Sequence, residues 1–341
     1  GWDTHGLPVE LGVEKELGIT KEDIGKKITV EEYNQACRNA VMRYTDVWND
    51  LTEKIGYWVD LDNPYITYEP KYMETVWWLL KQLYNKDLLY KGYTIQPYSP
   101  KAGTGLSSHE LNQPGTYRDV SDTTVVAQFS VKNLSEKASK KISNLESQIS
   151  NLSILAWTTT PWTLPSNTAL AVGRDIEYVL VKTFNQYTFE PINIILARPL
   201  LEKQFGKKFI EGTDEDFANY TAESKTIPYQ ILAEFTGEDL AGTTYEQLIP
   251  WFLPAENAEK AFRVIIGDFV TTEDGTGIVH IAPTFGADDN RVAQENGIPP
   301  MLVKDENDNL VPLVDLTGRF LKGENVPELF SGKYIKNEYY D

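Results

Sequence analysis

Apolar residues recur at helical spacing along the first third of the chain and in short β-branched runs beyond it, so the hydropathy period changes near residue 120. Thr29-Val-Glu-Glu32 has the form of a capping box. Tyr33, Ala36, Cys37, Ala40, Val41, Tyr44, Val47, Trp48 and Leu51 follow it on one helical face. The spacing predicts one long amphipathic helix reaching Lys54 and stopped by Gly56. A second helix is predicted over residues 71–85, with Met73, Val76, Trp77, Leu80, Leu83 and Tyr84 inward. The aromatics between Tyr44 and Tyr98 are read as packing between these helices, in preference to a base-stacking platform. Residues 98–110 form a turn-rich connector.

From Thr123 the texture is that of a mostly β domain. Strands are predicted over 123–129, 154–160, 178–183, 192–197, 263–271 and 277–282, punctuated by Gly, Pro or Asn. Helices are few: 199–205 and 288–296, the latter capped by Asp288 or Asp289. Residues 131–153 are rich in Lys, Ser, Asn and Glu, with Leu134, Ala138, Ile142, Leu145, Ile149 and Leu152 at helical spacing. They read as an exposed, solvated helical insert. No internal repeat is evident. The expected architecture is α/β overall, with a helical segment over 1–118, a mostly β, barrel-like domain over 119–327 and a return segment over 328–341.

Composition narrows the class. With 41% hydrophobic and 24% charged residues, the 341-residue chain reads as ordinary soluble globular protein in two or three domains. No signal peptide and no apolar run of membrane-spanning length is found. Cys37 is the only cysteine, which excludes an intramolecular disulfide and a Cys-pair zinc site and suits a reducing, cytoplasmic compartment. Starting at Gly1 in mid-motif, the chain reads as an excised portion of a longer protein. The net charge of −18 is spread along the chain and argues against broad contact with nucleic acid, since phosphate contacts rely on Lys and Arg.

Candidate chemistry is confined by what is missing. There are three histidines, His5, His109 and His280. Neither a Gly-x-Ser-x-Gly elbow, nor a His-Glu-x-x-His site, nor a phosphate loop occurs. A hydrolase built on this chain would position a water rather than form a covalent intermediate. Thr158-Thr159-Thr160 should sit where a strand leaves its sheet, with Pro161, Pro165 and Asn167 stiffening the exit. Those threonines are either good strand residues or fixed neutral donors and acceptors. His280 ends an alternating strand and reads either as a satisfied core residue or as a pocket wall. Asp289 reads either as a helix cap or as a carboxylate partner for an ammonium group.

Taken as strings, these residues carry a resemblance. Ala156-Trp-Thr-Thr-Thr-Pro-Trp-Thr-Leu-Pro-Ser-Asn167 and Gly275-Thr-Gly-Ile-Val-His-Ile-Ala-Pro-Thr-Phe-Gly-Ala-Asp-Asp289 resemble the editing domain inserted in isoleucyl-, valyl- and leucyl-tRNA synthetases. Gly1-Trp-Asp-Thr-His-Gly-Leu-Pro-Val-Glu10 resembles part of the same family's Rossmann-type catalytic domain. Pro161 after the third Thr, together with the Gly1–Glu10 string, is more similar to the isoleucine enzyme than to its relatives.

The resemblance implies a class I ligase whose editing domain hydrolyses valyl-tRNA(Ile). One methylene separates valine from isoleucine and is worth only about 1–3 kcal/mol in a pocket, a limit for which this pair of amino acids is itself the standard example. Thr158, Thr159, Thr160 and Asp289 would be catalytic, Asp289 holding the α-ammonium. Asn167, His280 and Trp162 would line the pocket, with His280 excluding isoleucine. Asp3 and His5 would belong to an incomplete synthetic site. The implied partners are the 3′ end of tRNA(Ile) and valine or isoleucine esters, for a monomer with no membrane contact. ATP and Mg2+ would serve the parent enzyme, with no metal or cofactor for these residues alone. His-x-Gly-His and Lys-Met-Ser-Lys-Ser are absent, so amino-acid activation is not expected of this chain. The alternatives are a non-hydrolytic tRNA-binding or structural insertion, and an editing domain of the valine or leucine enzyme.

Overall fold

Two units divide between Tyr93 and Thr94 in the computed structural model, which describes residues 1–91, 94–99, 102–145, 149, 151–305, 307–322 and 326–336. The first unit holds α1 (Leu7–Leu17), α2 (Val30–Val41), α3 (Thr45–Lys54) and α4 (Pro70–Tyr84). Thr29 and Glu32 form the predicted capping box. The single long helix expected after it is two. At the break, the Met42 carbonyl accepts both the Thr45 amide, at 3.4 Å, and the Thr45 hydroxyl, at 3.1 Å, so the chain turns and restarts. The second predicted helix is α4, within a residue at each end.

Packing between these helices does not account for their aromatics. Tyr44, Trp48, Trp77, Trp78 and Tyr84 are all exposed, and among the described residues of this unit the buried apolar ones are Val13 and Tyr33. Val13 lies on α1 and Tyr33 on α2, so the small core forms between those two helices, and the apolar stripe of α4 stays at the surface.

The second unit runs through β1 (Tyr98–Ser99), β2 (Thr104–Gly105), α5 (Ser108–Leu111), β3 (Val125–Asn133), α6 (Glu136–Ile142), β4 (Leu152–Thr158) and β5 (Ala169–Val172). It continues with β6 (Glu177–Phe184), β7 (Pro191–Ala197), α7 (Leu201–Phe205), β8 (Phe209–Glu211), α8 (Asp214–Asn219), β9 (Ile227–Thr236) and α9 (Gly237–Leu240). It closes with β10 (Thr244–Tyr245), β11 (Arg263–Ile266), β12 (Ile278–Ile281), α10 (Ala287–Glu295), β13 (Leu302–Lys304) and β14 (Leu310–Pro312). Ten strands share one sheet in the order β12-β5-β11-β10-β3-β4-β7-β6-β9-β8. Its pairings are antiparallel except β11 with β5, β4 with β7 and β8 with β9.

The sheet curls, and two glycines let it. Gly275 and Gly277 have φ of +74° and +69°, conformations that L side chains rarely adopt. A Cβ on Gly277 would lie 2.3 Å from that of Ala197, and one on Gly275 would lie 2.6 Å from the Trp157 ring. Between them, Thr276 accepts the Ala197 amide on its carbonyl at 2.9 Å and the Trp157 amide on its hydroxyl at 3.2 Å. The chain entering β12 is thereby pinned across β4 and β7, giving the expected barrel-like form.

Both faces are covered over β5, β6 and β7, so those strands read as continuous apolar runs. Leu170 and Val172 of β5 enter the main core with Phe129, Ile154, Tyr178, Leu180 and Tyr245, while Ala169 and Ala171 face Val292 and Ala293 of α10. Alanine on that face lets the helix lie close. Val179, Val181, Ile194 and Leu196 form a separate core under Leu201 and Phe205 of α7.

The stretch 131–153 is not the exposed excursion its composition predicts. It supplies the end of β3, all of α6 and the start of β4; Ala138 and Ile142 are buried in the main core, with Leu134, Leu145, Ile149 and Leu152 packed against it. Lys137 and Lys141 pair with Glu238 and Asp239 of α9, at 2.9 and 2.7 Å. The apolar stripe outweighed the polar composition. Residues 146–148 and 150 lie outside those described.

Candidate functional site

The Thr-rich peptide leaves β4 at Thr158 and enters a six-residue 3-10 turn, Pro161–Ser166. Pro161 occupies its first position, where a missing N–H costs nothing. Thr158 is buried while Thr159 and Thr160 are exposed. The Thr158 hydroxyl accepts the Thr160 amide at 3.0 Å and lies 3.3 Å from the Thr160 hydroxyl, so the three threonines form a turn with fixed directions instead of a continued strand.

His280 sits on β12 opposite Leu170, 5% exposed. Its Nε2 lies 3.0 Å from the hydroxyl of Thr163, a residue the sequence reading passed over. Its Nδ1 is buried with no hydrogen-bond partner among the described residues. Burial pushes the imidazole down to about 4, so the ring is neutral near pH 7.

Asp289 does not cap α10. Gly286 takes that position without a side-chain bond, and Asp289, in the first turn, reaches back to accept the Ala282 amide at 2.8 Å. A Cβ on Gly286 would come 2.8 Å from the Asp289 carboxyl carbon, so glycine there makes room for the carboxylate. Burial raises the Asp289 carboxyl, the Ala282 N–H lowers it and the neighbouring Asp288 raises it, with a net upward shift.

The structure brings the two motif strings together. Besides the Thr163–His280 contact, the Thr168 amide donates to the Ile281 carbonyl at 3.0 Å, and the Trp162 and Phe285 rings meet edge to face at 5.4 Å. Asn167 is used differently from its predicted pocket role. Its amide nitrogen donates to the Ala169 carbonyl at 2.8 Å and its oxygen accepts the Tyr245 hydroxyl at 2.7 Å, all in the interior. It joins the peptide to β5 and β10 and is 3% exposed, so both ends of the amide serve the fold. Trp162 borders a cleft of about 520 Å³ with Pro161, Pro165, Trp251, Phe330 and Tyr334.

In the first unit, Asp3 and His5 stand on an exposed loop. The His5 amide reaches Asp3 Oδ1 at 3.5 Å, and its Nδ1 lies 2.9 Å from the Thr67 hydroxyl. His5, not Asp3, borders a cavity of about 210 Å³ with Thr4, Asn34, Cys37, Arg38, Tyr68 and Met73. Among the described residues no three His, Cys, Asp or Glu side chains converge as metal ligands. None of the helices described is long and apolar enough to cross a membrane.

The buried imidazole has a measurable consequence. The unfolded chain binds a proton on His280 near pH 6.5, and the folded chain does so only near 4. Stability is therefore full above about pH 6.5 and is lost as the pH falls through that window, by on the order of 3 kcal/mol. Asp289, shifted upward, works the other way, favouring the folded state as it protonates. Urea midpoints between pH 7 and 4.5 should fall more steeply for the wild type than for His280→Gln. Parallel slopes would show that His280 does not titrate as a buried group.

Residues 1–257 match the family model of class I tRNA synthetases (I, L, M and V), and the chain belongs to that family. Within it, the chain is similar to isoleucine–tRNA ligases: 62% identical to that of Cytophaga hutchinsonii over 99% of this chain and 29% of the relative, and 58% identical to that of Porphyromonas gingivalis over 99% and 30%. It thus spans about 30% of the length of these curated relatives. Among solved structures it is similar to the Plasmodium knowlesi cytosolic leucyl-tRNA synthetase editing domain, at 15% identity and a TM-score of 0.37, over 50% of this chain and 62% of that one. It is also similar to the leucyl enzyme's CP1 domain described as GlLeuRS-CP1, at 19% identity and 0.35, over 56% and 70%.

Proposed function

We propose that the second unit is the editing part of an isoleucine–tRNA ligase and hydrolyses the ester of valine on tRNA(Ile). The observation that carries this reading is the junction of the two strings, where a turn of directed threonine hydroxyls meets a neutral, buried imidazole and a partly desolvated carboxylate sits seven residues beyond Ala282. The upward shift of Asp289 marks a charge short of a partner, and the α-ammonium of an aminoacyl ester supplies one. His280 forms the wall against a larger side chain, and Trp162 flanks the entry with Phe285.

The reaction adds a water oxygen to the ester carbonyl and breaks its bond to the ribose oxygen. It releases valine carboxylate and the free hydroxyl of the terminal adenosine. A threonine nucleophile activated by His280 is disfavoured. The Thr163 proton is committed to the Thr160 carbonyl at 2.8 Å, and among the described residues no third group orients His280 through Nδ1. Thr158, Thr159 and Thr160 are assigned to holding the ester and the attacking water. ATP and Mg2+ belong to amino-acid activation by the whole ligase, in which Asp3 and His5 would take part, and have no step here.

With valyl-tRNA(Ile), the chain should release valine at a rate linear in protein, without an initial burst of acyl-protein. Binding without ester loss would make the unit a tRNA-binding insertion, and a burst would restore covalent catalysis.

A further inference from the structure

A cavity of about 200 Å³ is lined by residues of β3, β4, β6, β7, α7 and β8. Leu155, three residues before Thr158, is one of them, so the cavity lies on the other face of β4 from Thr158 and about 10 Å back along the strand. Its lining is free of acidic and basic side chains, in a chain where these make up 24% of residues. Burying a charge there would leave it unpaired. The lining offers amides and rings instead: Gln128, Asn185, Gln204, Phe184, Phe205 and Tyr187. Such a set suits a neutral, planar group with hydrogen-bonding edges.

The amides have a fixed polarity. Gln204 Nε2 donates to the Gly275 carbonyl at 2.7 Å, which leaves Oε1 as its free acceptor. Gln128 Nε2 lies 3.4 Å from the Ser153 hydroxyl, and its Oε1 accepts no bond among the described residues. Two free amide oxygens call for N–H donors, such as the exocyclic amino group that cytosine and adenine carry and uracil lacks. Tyr187 supplies a ring face. Phe184 is stacked on Tyr220 at 4.1 Å and Phe205 on Phe209 at 4.3 Å, but Tyr187 is 81% exposed and stacks on no ring among the described residues. The Asn185 side-chain oxygen accepts the Tyr187 and Thr188 amides at 2.8 and 3.2 Å, which holds the backbone that carries the ring. Lys207 and Lys208 lie in the turn between the lining residues Phe205 and Phe209. Both are exposed, and neither forms an ion pair among the described residues.

We propose that this cavity is a subsite for an unpaired, amino-bearing nucleobase of an RNA strand. Tyr187 stacks on the base, the oxygens of Gln128 and Gln204 accept from its amino group, and Lys207 and Lys208 stand near the phosphates. At about 10 Å from the threonine turn, the base it takes is a near neighbour of the terminal adenosine, which in tRNA is a cytosine. The identity of the strand rests on the editing function proposed above; the chemistry of the cavity does not.

The test is fluorescence anisotropy of a labelled, short single-stranded RNA ending in cytosine-cytosine-adenosine, against the same RNA with both cytosines replaced by uridine. The wild-type chain should bind the first about fivefold more tightly. Tyr187→Ala should weaken that binding about tenfold with an unchanged melting temperature. Replacing Lys207 and Lys208 together with Ala should flatten its dependence on salt. Equal affinity for the two RNAs would overturn the proposal, as would wild-type binding by Tyr187→Ala. Cytidine monophosphate that displaces the RNA at equal concentration would make this a free-nucleotide site and overturn its assignment to a strand. Discrimination between the RNAs without hydrolysis of valyl-tRNA(Ile) would overturn the editing function and support the subsite. Hydrolysis without discrimination would overturn the subsite alone.

Discussion

Asp289→Asn should abolish valyl-tRNA deacylation while leaving the fold at least as stable as the wild type. The side-chain oxygen that accepts the Ala282 amide is retained in Asn, so the loop between β12 and α10 keeps its anchor. What disappears is a charge that burial already disfavours. Loss of a buried charge partner costs about 2–5 kcal/mol, so the rate should fall on the order of a hundredfold or more. Asp289→Ala would be a poorer test, because it leaves the Ala282 N–H without its acceptor at a further cost of about 1–3 kcal/mol. Thermal melts and single-turnover deacylation of the Asn variant separate the two roles. Wild-type turnover would remove Asp289 from the site, and a lower melting temperature would make it a structural anchor first.

His280→Ala should admit the cognate amino acid. The imidazole is almost fully buried and its Nε2 is tied to Thr163, so the ring cannot swing away from a larger side chain without breaking that bond. Removing it opens volume for one methylene, and the discrimination at stake is about 1–3 kcal/mol. Isoleucyl-tRNA(Ile) deacylation should therefore rise by roughly 10- to 200-fold while valyl hydrolysis persists. Rates on both esters at equal concentrations of folded protein decide it. A variant that still spares isoleucyl-tRNA would move the wall to the threonine turn.

Strands β4, β6 and β7 were legible because their sequences meet apolar neighbours on both faces, whereas β5, four residues long, was missed. Residues 154–160, 178–183 and 192–197 predict β4, β6 and β7 to within a few residues. Strand β9 was missed: Pro228 stands second in it, and Gln230 and Glu234 interrupt its apolar run. Composition misled at 131–153, where Lys137 and Lys141 of the suggested solvated arm pair with Glu238 and Asp239 while Ala138 and Ile142 go into the core. Helical spacing misled in the first unit, because a stripe on α4 says nothing about which element covers it.

At the candidate site, the strings named residues that meet in the fold but not the partner of each. Asn167 and Asp289 are polar residues of types that suit either a pocket or a scaffold. Only the Tyr245 hydroxyl on Asn167, a contact across 78 positions, and the Ala282 amide on Asp289, a reach back across the loop between β12 and α10, separate those uses. Thr163 carried one local signal, a hydroxyl three residues after Thr160 in a turn opened by Pro161, of the kind that bonds back to the backbone. Its meeting with His280, 117 positions away, depends on the glycines that curl β12 across the sheet.

The central claim is that this unit removes valine and spares isoleucine on the same tRNA. Paired deacylation of valyl- and isoleucyl-tRNA(Ile) by the wild-type chain tests it most directly. The account predicts rapid loss of the valyl ester, with the isoleucyl ester lost no faster than in buffer. Equal loss of both esters would contradict the sieve, and loss of neither would contradict hydrolysis itself.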